Sequence, residues 1–106
     1  MVVPAPVTAE VDYLLRRRGG HNAARRFLED LALGRFRVET LTPPEFQLAL
    51  ALHDRFAALD LGLADLSVAI LAFRYRTRRI LTFDERDFRA ITPVQGGVFT
   101  LLPADS

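Results

Sequence analysis

One stretch constrains this chain more than any other. Leu61 to Leu71 and Arg78 to Phe88 place one aspartate, Asp65, at the opening of an almost wholly apolar helix. A second, Asp84, closes the short apolar strand Ile80-Leu81-Thr82-Phe83. A carboxylate beside a buried element is costly unless something satisfies it. Glu10, just after the apolar segment Val2 to Val7, stands in a similar setting. Three acids next to buried elements suggest a place where anions gather around a metal ion.

The surrounding pattern assigns these acids to elements. Met1 to Val7 reads as a strand leading into a turn, with Thr8 as the N-cap of a helix and Glu10 and Asp12 in its first turn. Gly19-Gly20 ends that helix, and a second runs from Asn22 to Gly34. Phe36 to Leu41 alternates as a strand does. Thr42-Pro43-Pro44-Glu45 is a capping box with proline at the first helical position, opening a helix to about Leu59 that Asp60-Leu61-Gly62 breaks. The helix from Asp65 to about Tyr75 is apolar nearly all round and should be buried. Ile80 to Phe83 and Val98 to Leu102 read as strands, with a turn or short helix from Asp84 to Phe88.

Strands joined by helical crossovers predict an α/β fold with a parallel sheet between helix layers. In such sheets, sites form at the carboxyl ends of strands, where Glu10 and Asp84 fall. A chain of 106 residues makes one small domain. No run of about 18 charge-free apolar residues predicts a membrane span, and no secretory signal is read at the start. The absence of cysteine removes disulfides and thiolate metal sites. A cytoplasmic location fits that composition.

Net charge is +1, so the total says little about partners. Every basic residue is arginine, and the arginines cluster at 16–18, 25–26, 35–37 and 74–79. Such clusters suit a nucleic-acid path, and they equally suit solvated helix ends, where arginine complements the helix dipole.

Each acid has a plain alternative role. Asp65 and Glu10 are common types of helix N-terminal acid, and Asp84 is a competent turn cap. Together they match what magnesium asks for: a few carboxylates, with several waters retained. Asp60 and Asp87 are spare acids, read as a helix break and a surface residue. Other chemistries lack support. His21 and His53 are the two histidines, and His53 reads as a half-buried helix residue. Ser67 has no histidine near it in sequence, and neither a nucleophile elbow nor a P-loop occurs. No helix-turn-helix pairing with a polar recognition helix is present.

These segments resemble the PIN-domain ribonucleases, and within them the VapC-like toxins of toxin–antitoxin systems. Val2 to Val11 resembles the segment carrying the family's glutamate. Leu61-Gly62-Leu63-Ala64-Asp65 resembles its helix-opening aspartate motif, and Ile80 to Phe88 its late strand-end aspartate motif. The resemblance implies that Glu10, Asp65 and Asp84 are catalytic metal-site residues holding Mg2+ or Mn2+. It implies an endoribonuclease acting on RNA by metal-activated water, a cognate antitoxin as partner, and a homodimer. It also implies a departure: the family's first, central strand and its aspartate have no counterpart here, which makes residues 1–106 an N-terminally truncated PIN-like domain. The alternative reading is a catalytically inactive remnant that only binds an antitoxin or another subunit.

Overall fold

A computed structural model describes residues 1–81, 85–102 and 105 of the chain. The elements run β1 (Val2–Pro4), α1 (Ala5–Ala32), β2 (Arg37–Glu39), α2 (Pro43–Arg55), a 3-10 turn (Ala57–Leu59), α3 (Leu63–Arg74), β3 (Arg79–Leu81), α4 (Glu85–Ala90) and β4 (Thr100–Leu102). They fall into two compact units, residues 1–40 and 41–106.

In the first unit β1 and β2 pair in parallel, with Val2 opposite Arg37, Val3 opposite Val38 and Pro4 opposite Glu39. α1 is the crossover between them, as a parallel pair requires. The helix begins at Ala5 and not at Thr8. Pro4 is extended and Pro6 sits in the first turn, where a missing N–H costs nothing and a fixed φ helps. Thr8 is therefore inside the helix, and its hydroxyl donates back to the Ala5 carbonyl at 2.7 Å. Glu10 consequently lies one turn further into the helix than the pattern suggests. Gly20, at φ 77° and ψ −168°, interrupts α1 as expected from Gly19-Gly20, so two helical stretches meet at a kink. Phe27 stacks obliquely on Phe36 with ring centres 5.8 Å apart.

The second unit holds most of the buried apolar residues. β3 and β4 pair in parallel, Arg79 with Thr100, Ile80 with Leu101 and Leu81 with Leu102. Leu101 is wholly buried, and Phe88 meets Phe99 edge-on at 5.7 Å. α3 packs against α2 and β3. It buries Leu66, Ser67, Ala69, Ile70, Leu71 and Ala72, as its unbroken apolar run predicts. α2 opens with the capping box read from the sequence: the Thr42 hydroxyl accepts from the Glu45 N–H, and the Thr42 N–H donates to Glu45 Oε1 at 2.9 Å. Asp60 then turns the chain in the left-handed region, at φ 48°.

The parallel pairs with helices beside them establish the α/β class. β1 and β2 are shorter than their apolar runs, because Val7 and Leu41 are apolar for packing and not for pairing, while Thr82 and Phe83 of the third expected strand lie outside the described residues.

Candidate functional site

Asp65 occupies the third position of α3, after the N-cap Gly62 and then Leu63 and Ala64. Gly62 has no side chain to satisfy the free N–H groups of the first turn. A carboxylate there is favoured by the helix dipole. Asp65 is half-buried, and the residues that follow it enter the core at once. Ser67, two positions on, is buried with a hydroxyl that finds no hydrogen-bond partner among the described residues.

Glu10 is exposed on α1, in the first unit. Its neighbour Asp12 pairs with Arg16 at 3.0 Å across one turn. Asp84 lies outside the described residues. Within neither unit do the described residues bring three acids or histidines together as a metal-holding group. The donor set itself suits a hard cation. Carboxylate oxygens are the ligands magnesium and manganese prefer, and both Glu10 and Asp65 are open enough for bound water.

The spare acids have other employment. Asp60 is the left-handed residue that closes the 3-10 turn, and its carboxylate stands 3.8 Å from His53 Nε2. His53 is half-buried on α2, as read from the sequence, and also faces Asp54 at 3.5 Å. Asp87 is half-buried in α4.

Many arginines turn out to be locally engaged. Arg25 pairs with Glu29, Arg35 with Asp30 and Arg37 with Glu39, all at about the first unit's surface. Arg17 lies over the Tyr13 ring and donates to its hydroxyl. In the second unit Arg74, at the end of α3, forks onto Glu45 at the start of α2. Those hydrogen bonds, helped by the Thr42 N–H and hydroxyl, hold the Glu45 carboxyl down to about 2. Arg89 forks onto Asp105, which also accepts from the Leu101 N–H at 2.8 Å. Asp105 is likewise held down to about 2, chiefly by Arg89. Arg76, Arg78 and Arg79 make no ion pair among the described residues.

The second unit also carries a cavity of about 440 Å³ that sequence reading did not single out, lined by Phe73, Arg74, Arg76, Arg78 and Gln95. The arginine run was visible in the sequence. Gln95 was not, since nothing local marks a glutamine twenty residues away as its neighbour.

Comparison with known proteins bears on these positions. The PIN domain family matches residues 1–92, which include Glu10, Asp65 and Asp84. Ribonuclease VapC26 of Mycobacterium tuberculosis (strain ATCC 25618 / H37Rv) is 39% identical over 103 residues, spanning 97% of this chain and 76% of that protein. An aspartate opening a buried helix, a parallel α/β frame and similarity over nearly the whole chain point the same way: the chain belongs to the PIN-domain family, among its VapC-like ribonucleases.

Proposed function

We propose that this chain is an endoribonuclease, the toxin of a toxin–antitoxin pair, and that Glu10, Asp65 and Asp84 hold Mg2+ or Mn2+. The observation that carries the reading is the 39% identity to a ribonuclease across 97% of the chain. The position of Asp65, half-buried at a helix start, supports it. A divalent cation in such a site polarises the phosphodiester and makes a bound water a nucleophile near neutral pH.

The chain's own contribution is placement and charge. α3 fixes the Asp65 backbone because its next turn is locked into the core, so the carboxylate is presented on a rigid element. Negative charge at that first-turn position is favoured by the helix dipole. Arginine, with its planar fork, suits the phosphate backbone of the RNA. An antitoxin protein is the expected partner, and exposed Tyr13, Leu28, Leu33 and Val38 in the first unit offer it apolar surface. A homodimer and a cytoplasmic location complete the reading. Among the described residues no helix is long and apolar enough to cross a membrane.

The test is RNA cleavage by the purified chain with Mg2+, with Mn2+ and with EDTA. Cleavage is expected with either metal and not with the chelator. Asp65→Asn and Asp84→Asn should each lower the rate by roughly a hundredfold or more while thermal unfolding stays near that of the parent. Cleavage that ignores EDTA, or that survives both substitutions, rejects the site.

A further inference from the structure

We infer that the cavity at the C-terminal end of α3 is a second RNA-binding pocket, one that seats a single nucleotide away from Asp65. The choice of RNA as occupant rests on the ribonuclease reading above. The pocket itself rests on four observations in the second unit.

The first is charge. Arg74, Arg76, Arg78 and Arg79 fall within six residues, and Glu45 neutralises Arg74 alone. The second is conformational. α3 closes with the Arg76 N–H donating to the Phe73 carbonyl and the Thr77 N–H to the Ala72 carbonyl. This closure puts residue 76 in the left-handed region, at φ 52°, where glycine is the favoured residue. An arginine there costs stability, and its side chain recovers none through an ion pair among the described residues. Strain of this kind is the mark of a residue kept for something other than folding.

The third is preorganisation. Arg78 Nε donates to the Gly96 carbonyl at 2.6 Å, and its terminal nitrogen to the Gln95 carbonyl at 3.3 Å. A Cβ at Gly97, itself at φ 81°, would stand 2.8 Å from Arg78 Nε, so the turn leaves room for this guanidinium. The fourth is an orphaned acceptor. Gln95 Nε2 donates to the Thr77 carbonyl at 2.7 Å, which fixes the amide. Its Oε1 is buried without a donor among the described residues.

An anion without a proton, such as sulfate, answers the arginines but not the glutamine oxygen, since it brings no donor. A ribonucleotide answers both. Its phosphate meets the arginines, and a ribose hydroxyl or base amino group donates to Gln95 Oε1. Phe73, partly exposed at the rim, offers a face for stacking. The volume, about 440 Å³, is of the size small ligands occupy. The pocket and Asp65 stand at opposite ends of α3, about 14 Å apart along the helix axis. A long RNA can therefore reach both, and a dinucleotide cannot.

The test is fluorescence anisotropy of a labelled single-stranded RNA oligomer with the full chain in EDTA, where nothing is cleaved. Arg76→Gly should weaken binding roughly tenfold, the worth of one charge-assisted phosphate contact. It should also lower the slope of log affinity against log salt by roughly 0.7. The same variant should melt a few degrees higher, because glycine relieves the backbone. Arg18→Ala, which removes one exposed charge from the first unit, should change affinity by less than about twofold. With Mg2+, Arg76→Gly should raise KM for the long RNA and leave dinucleotide cleavage unchanged. Unaltered RNA affinity in Arg76→Gly overturns the pocket, as does an equal loss in Arg18→Ala, or a parent chain that binds no RNA. If the parent cleaves RNA and Arg76→Gly binds as before, the pocket fails and the ribonuclease reading stands. If the parent binds RNA through Arg76 but never cleaves it, the pocket stands and the ribonuclease reading fails.

Discussion

The two parallel strand pairs of this chain are built on the same plan and embedded very differently. β3 and β4 carry Ile80 and Leu101, 6% and 0% exposed, and Phe88, Ile91 and Phe99 in the same unit are buried as well. β1 and β2 bury Val3 while Val38, directly opposite it, is 44% exposed. The long helix between them fully buries Ala24 and leaves Tyr13, Leu28 and Leu33 open. The same three-residue pairing is thus a core element in one unit and a surface element in the other. Backbone pairing alone does not specify which; the side chains that cover each pair do.

The sharpest way to break this comparison is truncation of one apolar helix side chain in each unit. Ile70→Ala, at a wholly buried position of α3, should cost about 2–5 kcal/mol in urea unfolding, since the cavity it leaves has no way to collapse. Leu28→Ala, at a side chain 62% exposed, should stay within about 0.5 kcal/mol. Equal costs would mean that the first unit is covered in solution by something that occupies Leu28.

The electrostatic contrast follows the same line. Glu45 and Arg74 are 29 residues apart in sequence, join two helices and are mostly shielded, at 16% and 27% side-chain exposure. The folded value of Glu45 lies below its ordinary 4.5, so its stabilisation is complete above that pH. It is lost as pH falls from about 4.5 towards about 2. Because Arg74 stays charged throughout and water reaches part of the pair, the loss should be about 1–2 kcal/mol. Thermal unfolding of the parent between pH 5 and 2.5 should therefore fall more steeply than that of Glu45→Gln, which has no proton to take up. Parallel curves would show that Arg74 gives Glu45 no net support.

The Glu45 site also shows what the sequence could and could not disclose. Thr42-Pro43-Pro44-Glu45 announced both the helix start and the capping box, because every atom involved lies within four residues. That Glu45 also receives Arg74 was invisible, since nothing local to either residue specifies a partner on another helix. The turns at Gly20 and Gly34 were legible for the same local reason: each needs φ above zero, and glycine tolerates it. Asp60 shares that geometry but closes the 3-10 turn, since α2 itself stops earlier than expected, at Arg55. Arg76 shares that conformation and was missed, because an arginine gives no turn signal. Thr8 misled because a capping residue was available, while Pro6 had already started the helix two residues earlier. For the candidate site, the place of Asp65 in the first turn of a buried helix was readable from the apolar run behind it. The proposed partnership with Glu10 has no local signal, since the two acids lie in separate segments of the chain.

The smallest effect belongs to the exposed pairs on α1, and it sets the scale for the others. Arg16 and Asp12 meet at 3.0 Å, the same span as many functional ion pairs, yet their side chains are 54% and 40% exposed. At that exposure water screens the attraction, and two long side chains give up rotamer freedom to hold one geometry. Arg16→Ala should therefore change stability by no more than about 0.5 kcal/mol, and by less still in 1 M salt, where the Debye length shrinks to about the pairing distance. Arg74→Ala measured beside it should cost more and respond less to salt, because it strands a partly shielded Glu45 carboxylate. If the two variants responded alike to salt, shielding would have no part in their difference, and the contrast between the two units would reduce to apolar burial alone.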